Sequence, residues 1–143
     1  MKQTRFELLI DSKIENLPRV TAFVEDVLSQ IGADQASAYK IQLAIDEACT
    51  NVIKHAYRGE IGPVRLEMEL IGDNLVISLI DRGVPFDPDI VPPPDLDADL
   101  EARKIGGLGI YFVKKIMDKV SYSFDSQTGN RLTMTKQLTL NRE

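Results

Sequence analysis

A carboxylate and a carboxamide one helical turn apart are the first residues in this sequence that could do chemistry together. They are Glu47 and Asn51, in the segment Asp46-Glu-Ala-Cys-Thr-Asn51. Because positions i and i+4 lie on the same face of a helix, both side chains are expected to point to one place. An amide oxygen suits a hard cation such as Mg²⁺, and a carboxylate can orient or deprotonate a hydroxyl group or a water. A solvated polar helix face would have the same spacing, so the pair alone leaves both interpretations open.

A second candidate lies where an apolar run ends, in the segment Asp81-Arg-Gly83-Val-Pro85-Phe-Asp-Pro88. The carboxylate of Asp81 could accept a hydrogen bond from an exocyclic amine such as that of adenine. Gly83 would let a flat base approach the backbone, because glycine has no side chain. An ordinary Asp-x-Gly turn is the alternative interpretation.

A third candidate is the glycine cluster Gly106-Gly107-Leu108-Gly109, which runs directly into an apolar segment with helical spacing. Glycines at a helix start expose unpaired N–H groups, and the positive end of the helix dipole lies behind them, so an anion could bind there. A flexible hinge is the alternative. The cluster does not match a P-loop, because no Lys-Ser or Lys-Thr pair follows the glycines.

His55 is the single histidine and Cys49 the single cysteine in the sequence. A zinc site or a Ser/His/Asp triad centred on His55 is poorly supported, because neither a second histidine nor a cysteine cluster is present. Cys49 is predicted to be inert and packed against the core. One cysteine cannot form an intrachain disulfide, which fits a reducing compartment.

The elements that must position these residues follow from the hydrophobic periodicity. The pattern predicts strand, helix, helix, hairpin, a long proline-rich irregular segment, helix and hairpin. Adjacent strands favour antiparallel pairing, so we expect an α+β fold, a two-layer sandwich with a mixed, mostly antiparallel sheet and helices on one face. The predicted strands are 5–10, 64–70, 75–80, 120–124 and 132–138, and the predicted helices run from 14 to 31, from 34 to about 57–59, and from 108 to 117.

Length and composition limit the classes of function. The 143 residues, 43% of them hydrophobic, predict one domain over residues 1–143 with a single core. A net charge of -5 argues against a general nucleic-acid binder, which needs a surplus of Lys and Arg. No stretch approaches the roughly 18 apolar residues that a membrane span requires, so we predict a cytoplasmic protein.

Taken together and in this order, the three candidates resemble the N, G1 and G2 boxes of the GHKL ATPases, the superfamily of gyrase, histidine kinases and MutL. The motif sequences, together with Lys54-His-Ala-Tyr57 after the first segment, look like those of the anti-sigma-factor serine/threonine kinases. Pro85 replaces the second glycine of the superfamily's Asp-x-Gly-x-Gly, which agrees with that subgroup. Many members carry a Thr pair after the glycine of the last turn, and this pair supplies a contact to adenine. This chain has Asn130-Arg131 at that place, so the contact is not assigned to it.

The resemblance implies a role for each site residue. Glu47 matches the catalytic carboxylate, and Asn51 matches the asparagine that holds Mg²⁺ against the phosphates of ATP. Asp81, with Gly83 beside it, matches the aspartate that reads adenine. The phosphate-facing turn corresponds to Gly107, Leu108 and Gly109, and the ATP lid to residues 87–105.

The resemblance also implies a function: transfer of the ATP γ-phosphoryl group to a Ser or Thr of a small antagonist protein, which frees the kinase to hold a sigma factor. Members of the family often act as homodimers. A module that binds ATP and regulates a partner without phosphoryl transfer is the alternative. An ATP hydrolase or an isolated histidine-kinase catalytic domain is a third interpretation. The sequence Pro85-Phe-Asp-Pro88 argues against it.

Overall fold

The computed structural model describes residues 3–85 and 113–140. Five strands and two long helices make up most of this part of the chain. Helix α1 spans Leu17–Ile31, helix α2 spans Gln35–Asn51, and a π-helical segment, Val52–Ala56, continues α2. The strands are β1 (Arg5–Asp11), β2 (Pro63–Ile71), β3 (Asn74–Asp81), β4 (Lys119–Asp125) and β5 (Gly129–Gln137).

The strands form one sheet in the order β1-β2-β3-β5-β4. All four ladders between the described strands are antiparallel, so this sheet is antiparallel rather than mixed. Alternate residues of β2, β3 and β5 face the helices, because side chains alternate between the two faces of a strand. The predicted α+β class is confirmed. The shared core includes Val24, Ile41, Ile45, Leu66, Met68, Ile77, Leu79 and Met134.

The opposite face of the sheet carries a cluster of charged side chains from β1, β2 and β5. The carboxylate of Glu67 lies 3.1 Å from Arg131, 3.8 Å from Arg65 and 3.9 Å from Arg5. The arginines are substantially solvent-exposed, so each pair contributes little to stability by itself.

Helix α1 begins later than predicted. Residues Ile14–Asn16 form a 3-10 turn, and the α-helix starts at Leu17 with Pro18 in its first turn. Proline is tolerated there because the first N–H groups of a helix have no intrahelical acceptor. The predicted stop at Gly32 is confirmed, since Gly32 has φ 75° and its N–H bonds back to the last turn of the helix.

The second predicted helix has the expected extent but not a uniform hydrogen-bond pattern. Its α-helical part ends at Asn51, and the chain continues to Ala56 as a π-helix. In this segment Ile53 and Ala56 are buried, and Val52 is partly buried against the core. The predicted stripe, which ends at Val52, is confirmed, since its other members are buried and Val52 packs against the core. π-Helical turns inside helices often occur at functional sites.

Several predictions lie outside the described residues, namely the lid at 87–105, the glycine cluster and the start of the helix predicted from 108. The last turn of that helix is described, with residues 113–116 helical and both Val113 and Met117 buried in the core. Within the two described ranges, no helix is long and apolar enough to cross a membrane.

The start of α2 depends on the Asp34 side chain. Its carboxylate accepts from the backbone N–H groups of Ser37 at 3.0 Å and Thr139 at 3.1 Å. The bond from Ser37 is the largest cause of the lowered pKa of Asp34. Asp34 thus joins the first turn of α2 to the chain that follows β5.

We expect Asp34→Ala to lower the free energy of unfolding by about 1 kcal/mol at pH 7, the usual cost of replacing an N-cap by alanine. Because the folded pKa is depressed, this contribution is present above the ordinary carboxyl pKa and is lost as the pH falls through the lowered value. Urea unfolding at pH 7 and at pH 3 measures both effects. Glu25→Ala, which removes an exposed carboxylate from α1, is the control. A deficit for Asp34→Ala that is equal at both pH values would contradict the contribution of the ionised carboxylate.

Candidate functional site

Glu47 and Asn51 lie one helical turn apart on α2, at the border of the buried stripe that includes Ala44 and Ala48. Both are half-buried. In residues 3–85 and 113–140, neither side chain has a hydrogen bond or ion pair. The Nδ2 atom of Asn51 is buried without a hydrogen-bond partner. Buried polar atoms in native proteins are nearly always paired, so an unpaired one marks a place where a ligand could bind.

The neighbouring Asp46 has a different environment from Glu47. Its Oδ1 atom lies 3.4 Å from the Thr21 hydroxyl of α1, and burial raises the pKa of its carboxyl group. The Gln42 side chain donates to the backbone carbonyl of Thr21 at 3.1 Å in the same contact between the helices. Of the two adjacent acids, Asp46 therefore belongs to the helix packing, and Glu47 is left for the candidate site.

Cys49 is packed in the core, as predicted. Cys49 is 1% exposed, and burial raises the pKa of its thiol to about 12. A thiol in this state is not a nucleophile at neutral pH. Lys54 and His55 are both exposed on the π-helical segment.

Asp81 ends strand β3 and is 7% exposed. Its Oδ1 atom accepts two hydrogen bonds of 2.8 Å, one from the backbone N–H of Gly83 and one from the side-chain amide of Asn130. Among the described residues, none donates to its Oδ2 atom. The carboxylate is thus held by one oxygen and has a second acceptor available for a ligand.

Asn130 was not predicted from the sequence as a site residue. It is 2% exposed and lies directly opposite Asp81 in the β3–β5 ladder. The alternation Asn130-x-Leu132-x-Met134 was the available signal, because it places a polar side chain on the same face as two core residues. A polar residue in that position needs a buried partner.

The loop after Asp81 is attached to the end of the π-helical segment. The N–H of Val84 donates to the carbonyl of Ala56 at 2.7 Å, and the N–H of Arg82 donates to the hydroxyl of Tyr57 at 2.8 Å. Burial, followed by the nearby charge of Asp81, raises the pKa of the Tyr57 hydroxyl. The backbone of Gly83 is so close to this segment that an added Cβ would lie 2.3 Å from the Ala56 oxygen.

The first two predicted motifs are therefore brought together. The π-helical end of the helix that carries Glu47 and Asn51 is hydrogen-bonded to the loop that follows Asp81. The third motif, with Gly107, Leu108 and Gly109, lies outside the described residues. In the described part of the chain, no group of three or more His, Cys, Asp or Glu could hold a metal ion. A cation bound through one amide oxygen and the phosphates of a nucleotide needs no such group.

Comparison with known proteins connects this geometry to a family. Residues 10–136 match the family model described as histidine kinase-like ATPase domain. A protein named serine-protein kinase RsbW from Bacillus cereus is 30% identical over 138 residues, which cover 94% of this chain and 85% of that protein. The protein of the same name from Bacillus mycoides is 29% identical over 141 residues, 96% of this chain and 87% of that one.

A solved structure of the RsbU and RsbW domains of a Mycobacterium tuberculosis protein has the same fold, with a TM-score of 0.70 and 22% identity. The match covers 99% of this chain, which spans 34% of that longer chain. At this identity the likeness establishes the arrangement of elements only.

The contact between Gly83 and Ala56 gives a prediction for the loop. We expect Gly83→Ala to lower the free energy of unfolding by about 1–3 kcal/mol, because a new methyl group in a filled space forces the backbone to move. Thermal or urea unfolding measures the change. Val84→Ala is the matched control, since Val84 is 41% exposed and truncating it should have an effect within about 0.5 kcal/mol. Equal stability of Gly83→Ala and the wild type would show that the loop is not packed against Ala56.

Proposed function

The chain belongs to the histidine kinase-like ATPase domain family, and from this premise we propose that it is an ATP-dependent protein serine/threonine kinase of the anti-sigma-factor type. The predicted resemblance to the GHKL superfamily is confirmed by that match and by the RsbW relatives. The proposal includes the assignment of residues 1–143 to one nucleotide-binding domain.

One observation supports the proposed site more than any other. Glu47 and Asn51 are half-buried one helical turn apart without partners in the described residues, on the helix whose end is bonded to the Asp81 loop. A merely solvated face would leave these side chains exposed rather than half-buried. The arrangement suits a ligand with a base at Asp81 and a charged, reacting end at Glu47.

In the proposed reaction, the hydroxyl oxygen of a Ser or Thr attacks the γ-phosphorus of ATP, and the bond to the β–γ bridging oxygen breaks to release ADP. The hydroxyl proton passes to the carboxylate of Glu47. Phosphoryl transfer depends mostly on positioning and on stabilising charge, so few protein groups are needed. Gly107, Leu108 and Gly109 are proposed to supply backbone N–H groups to the phosphates.

Asn51 fits the magnesium ion that ATP-dependent kinases use. Its side-chain oxygen is a ligand of the hard type that Mg²⁺ prefers. Its buried Nδ2 atom, which has no acceptor in the described residues, is a donor that suits a phosphate oxygen. Bound Mg²⁺ would neutralise charge on the phosphates. Asn51 would hold that end of the nucleotide on the same helix face as Glu47.

The finer part of the proposal concerns the partners. We propose that the phosphorylated protein is a small antagonist and that the unphosphorylated antagonist competes with a sigma factor for the kinase. A protein hydroxyl as the acceptor is supported by the relative named serine-protein kinase RsbW, since the match covers 85% of its length. A direct interaction with nucleic acid is not proposed, given the net charge of -5.

Glu47→Gln is expected to separate catalysis from binding. Glutamine has the shape of glutamate but cannot take up the proton, so the transfer rate should fall by about 10²–10⁴-fold. Affinity for ATP should stay within a few-fold of the wild type. Transfer of labelled γ-phosphate to candidate antagonist proteins measures the rate, and equilibrium titration measures ATP binding.

Asp46→Asn is the matched control for Glu47→Gln, because the adjacent carboxylate contacts Thr21 instead of the candidate site. It should keep the wild-type transfer rate. Full activity of Glu47→Gln would remove Glu47 from catalysis. If the wild type binds an antagonist in a nucleotide-dependent way but phosphorylates none, a non-catalytic interaction module replaces the kinase proposal.

Asn51→Ala is expected to weaken binding of Mg-ATP by about tenfold or more, because a ligand to a charged centre is lost. Binding of ATP in excess EDTA should change much less. Titrations with and without magnesium measure the two affinities, and Thr50→Ala, at the adjacent half-buried position, is the control. Equal losses with and without magnesium would rule Asn51 out as a metal ligand.

A further inference from the structure

Two buried polar side chains are paired at the end of the ladder between β3 and β5. Asp81 and Asn130 are exposed by 7% and 2%, and they are paired residues in the β3–β5 ladder. Removing such groups from water costs free energy unless each one is hydrogen-bonded. Their hydrogen bonds therefore determine how each side chain is oriented.

The hydrogen-bond network fixes the orientation of the Asn130 amide. Its Nδ2 atom donates to Asp81 Oδ1 at 2.8 Å and to the carbonyl oxygen of Gly83 at 3.0 Å. Its Oδ1 atom accepts from the Tyr122 hydroxyl at 2.8 Å. If the amide were turned over, its oxygen would face two acceptors, so only one orientation satisfies these groups.

This orientation has a consequence for the two oxygens of Asp81. Oδ1 accepts from both Asn130 and the N–H of Gly83, which pins the plane of the carboxylate. Within residues 3–85 and 113–140, no group donates to Oδ2. A ligand atom that meets Oδ2 must be a hydrogen-bond donor, as the 6-amino group of adenine is, whereas the 6-oxo group of guanine or hypoxanthine is an acceptor.

We propose that Asn130 is a positioning residue that sets the base preference of the site, by fixing the Asp81 carboxylate so that Oδ2 meets only a donor. The proposal rests on the proposed function, in which Asp81 binds adenine. Without the Asn130 amide, Oδ1 keeps one donor and the carboxylate can rotate. A carboxylate that can rotate discriminates less between a hydrogen-bond donor and an acceptor on the base, because its geometry toward the base is no longer fixed.

The test compares the binding of ATP and inosine triphosphate, which carries a 6-oxo group in place of the 6-amino group. The wild type should prefer ATP by on the order of a hundredfold. Asn130→Ala should reduce that preference by about tenfold, through weaker ATP binding with little change for inosine triphosphate. Retained binding of inosine triphosphate also shows that the variant is folded.

Two further variants distinguish positioning from a general structural role. Combining Asn130→Ala with Asp81→Asn should give the same base preference as Asp81→Asn alone, because Asn130 acts through the carboxylate. Tyr122→Phe removes only the hydroxyl that orients the amide, and should reduce the preference in the same direction but by less. It serves as the informative variant if Asn130→Ala does not fold. Arg131→Ala is the control, since its side chain bonds to Glu67 on the opposite sheet face.

The outcomes separate the two proposals. A wild type that prefers ATP while Asn130→Ala and Tyr122→Phe keep the full preference overturns the role of Asn130 and leaves the proposed function intact. A further loss of preference when Asn130→Ala is added to Asp81→Asn also overturns it. A wild type that binds neither nucleotide overturns both proposals.

Discussion

The hydrogen bond from the Val84 N–H to the Ala56 carbonyl, 2.7 Å long, joins the helix layer to the sheet at the candidate site. The last carbonyls of any helix lack an intrahelical donor and need partners from elsewhere. In this protein, the loop that follows β3 supplies one. The close approach requires a residue without a side chain at position 83, which gives the Asp-x-Gly sequence a structural reason in addition to its proposed role in binding. Movement of this junction would displace both motifs at once.

The polar residues of the candidate site fall into two groups. Asp81 and Asn130 are buried and bonded to each other, so their geometry exists before any ligand binds. Glu47 and Asn51 are half-buried and lack partners in the described residues. Preorganised groups suit recognition, because binding does not have to order them. Unpaired groups suit a ligand that brings its own charge and a reacting atom.

The sequence predicted the elements well, because amphipathic periodicity determines which face of a helix or strand is buried. Gly32 as a helix stop and the alternation in β2 are clear cases. The late start of α1 and the π-helical segment after Asn51 were missed. Hydrophobic spacing does not specify whether a helical turn has α, 3-10 or π hydrogen bonding. Asn130 was missed because its role depends on strand pairing with Asp81, and pairing between distant segments cannot be read from either segment alone.

The strand order also determines when the part of the site proposed to bind adenine, formed by Asp81 and Asn130, can assemble during folding. Asp81 and Asn130 are separated by 49 positions in the chain, and they meet only after β5 has paired with β3. Closing so long a loop costs entropy before any contact offsets it, so such pairing is slow compared with the formation of local helices and hairpins. A growing chain on the ribosome can build α1, α2 and the β2–β3 hairpin while β3 still has an open edge. Recognition of the base is therefore among the last properties that the folding chain acquires.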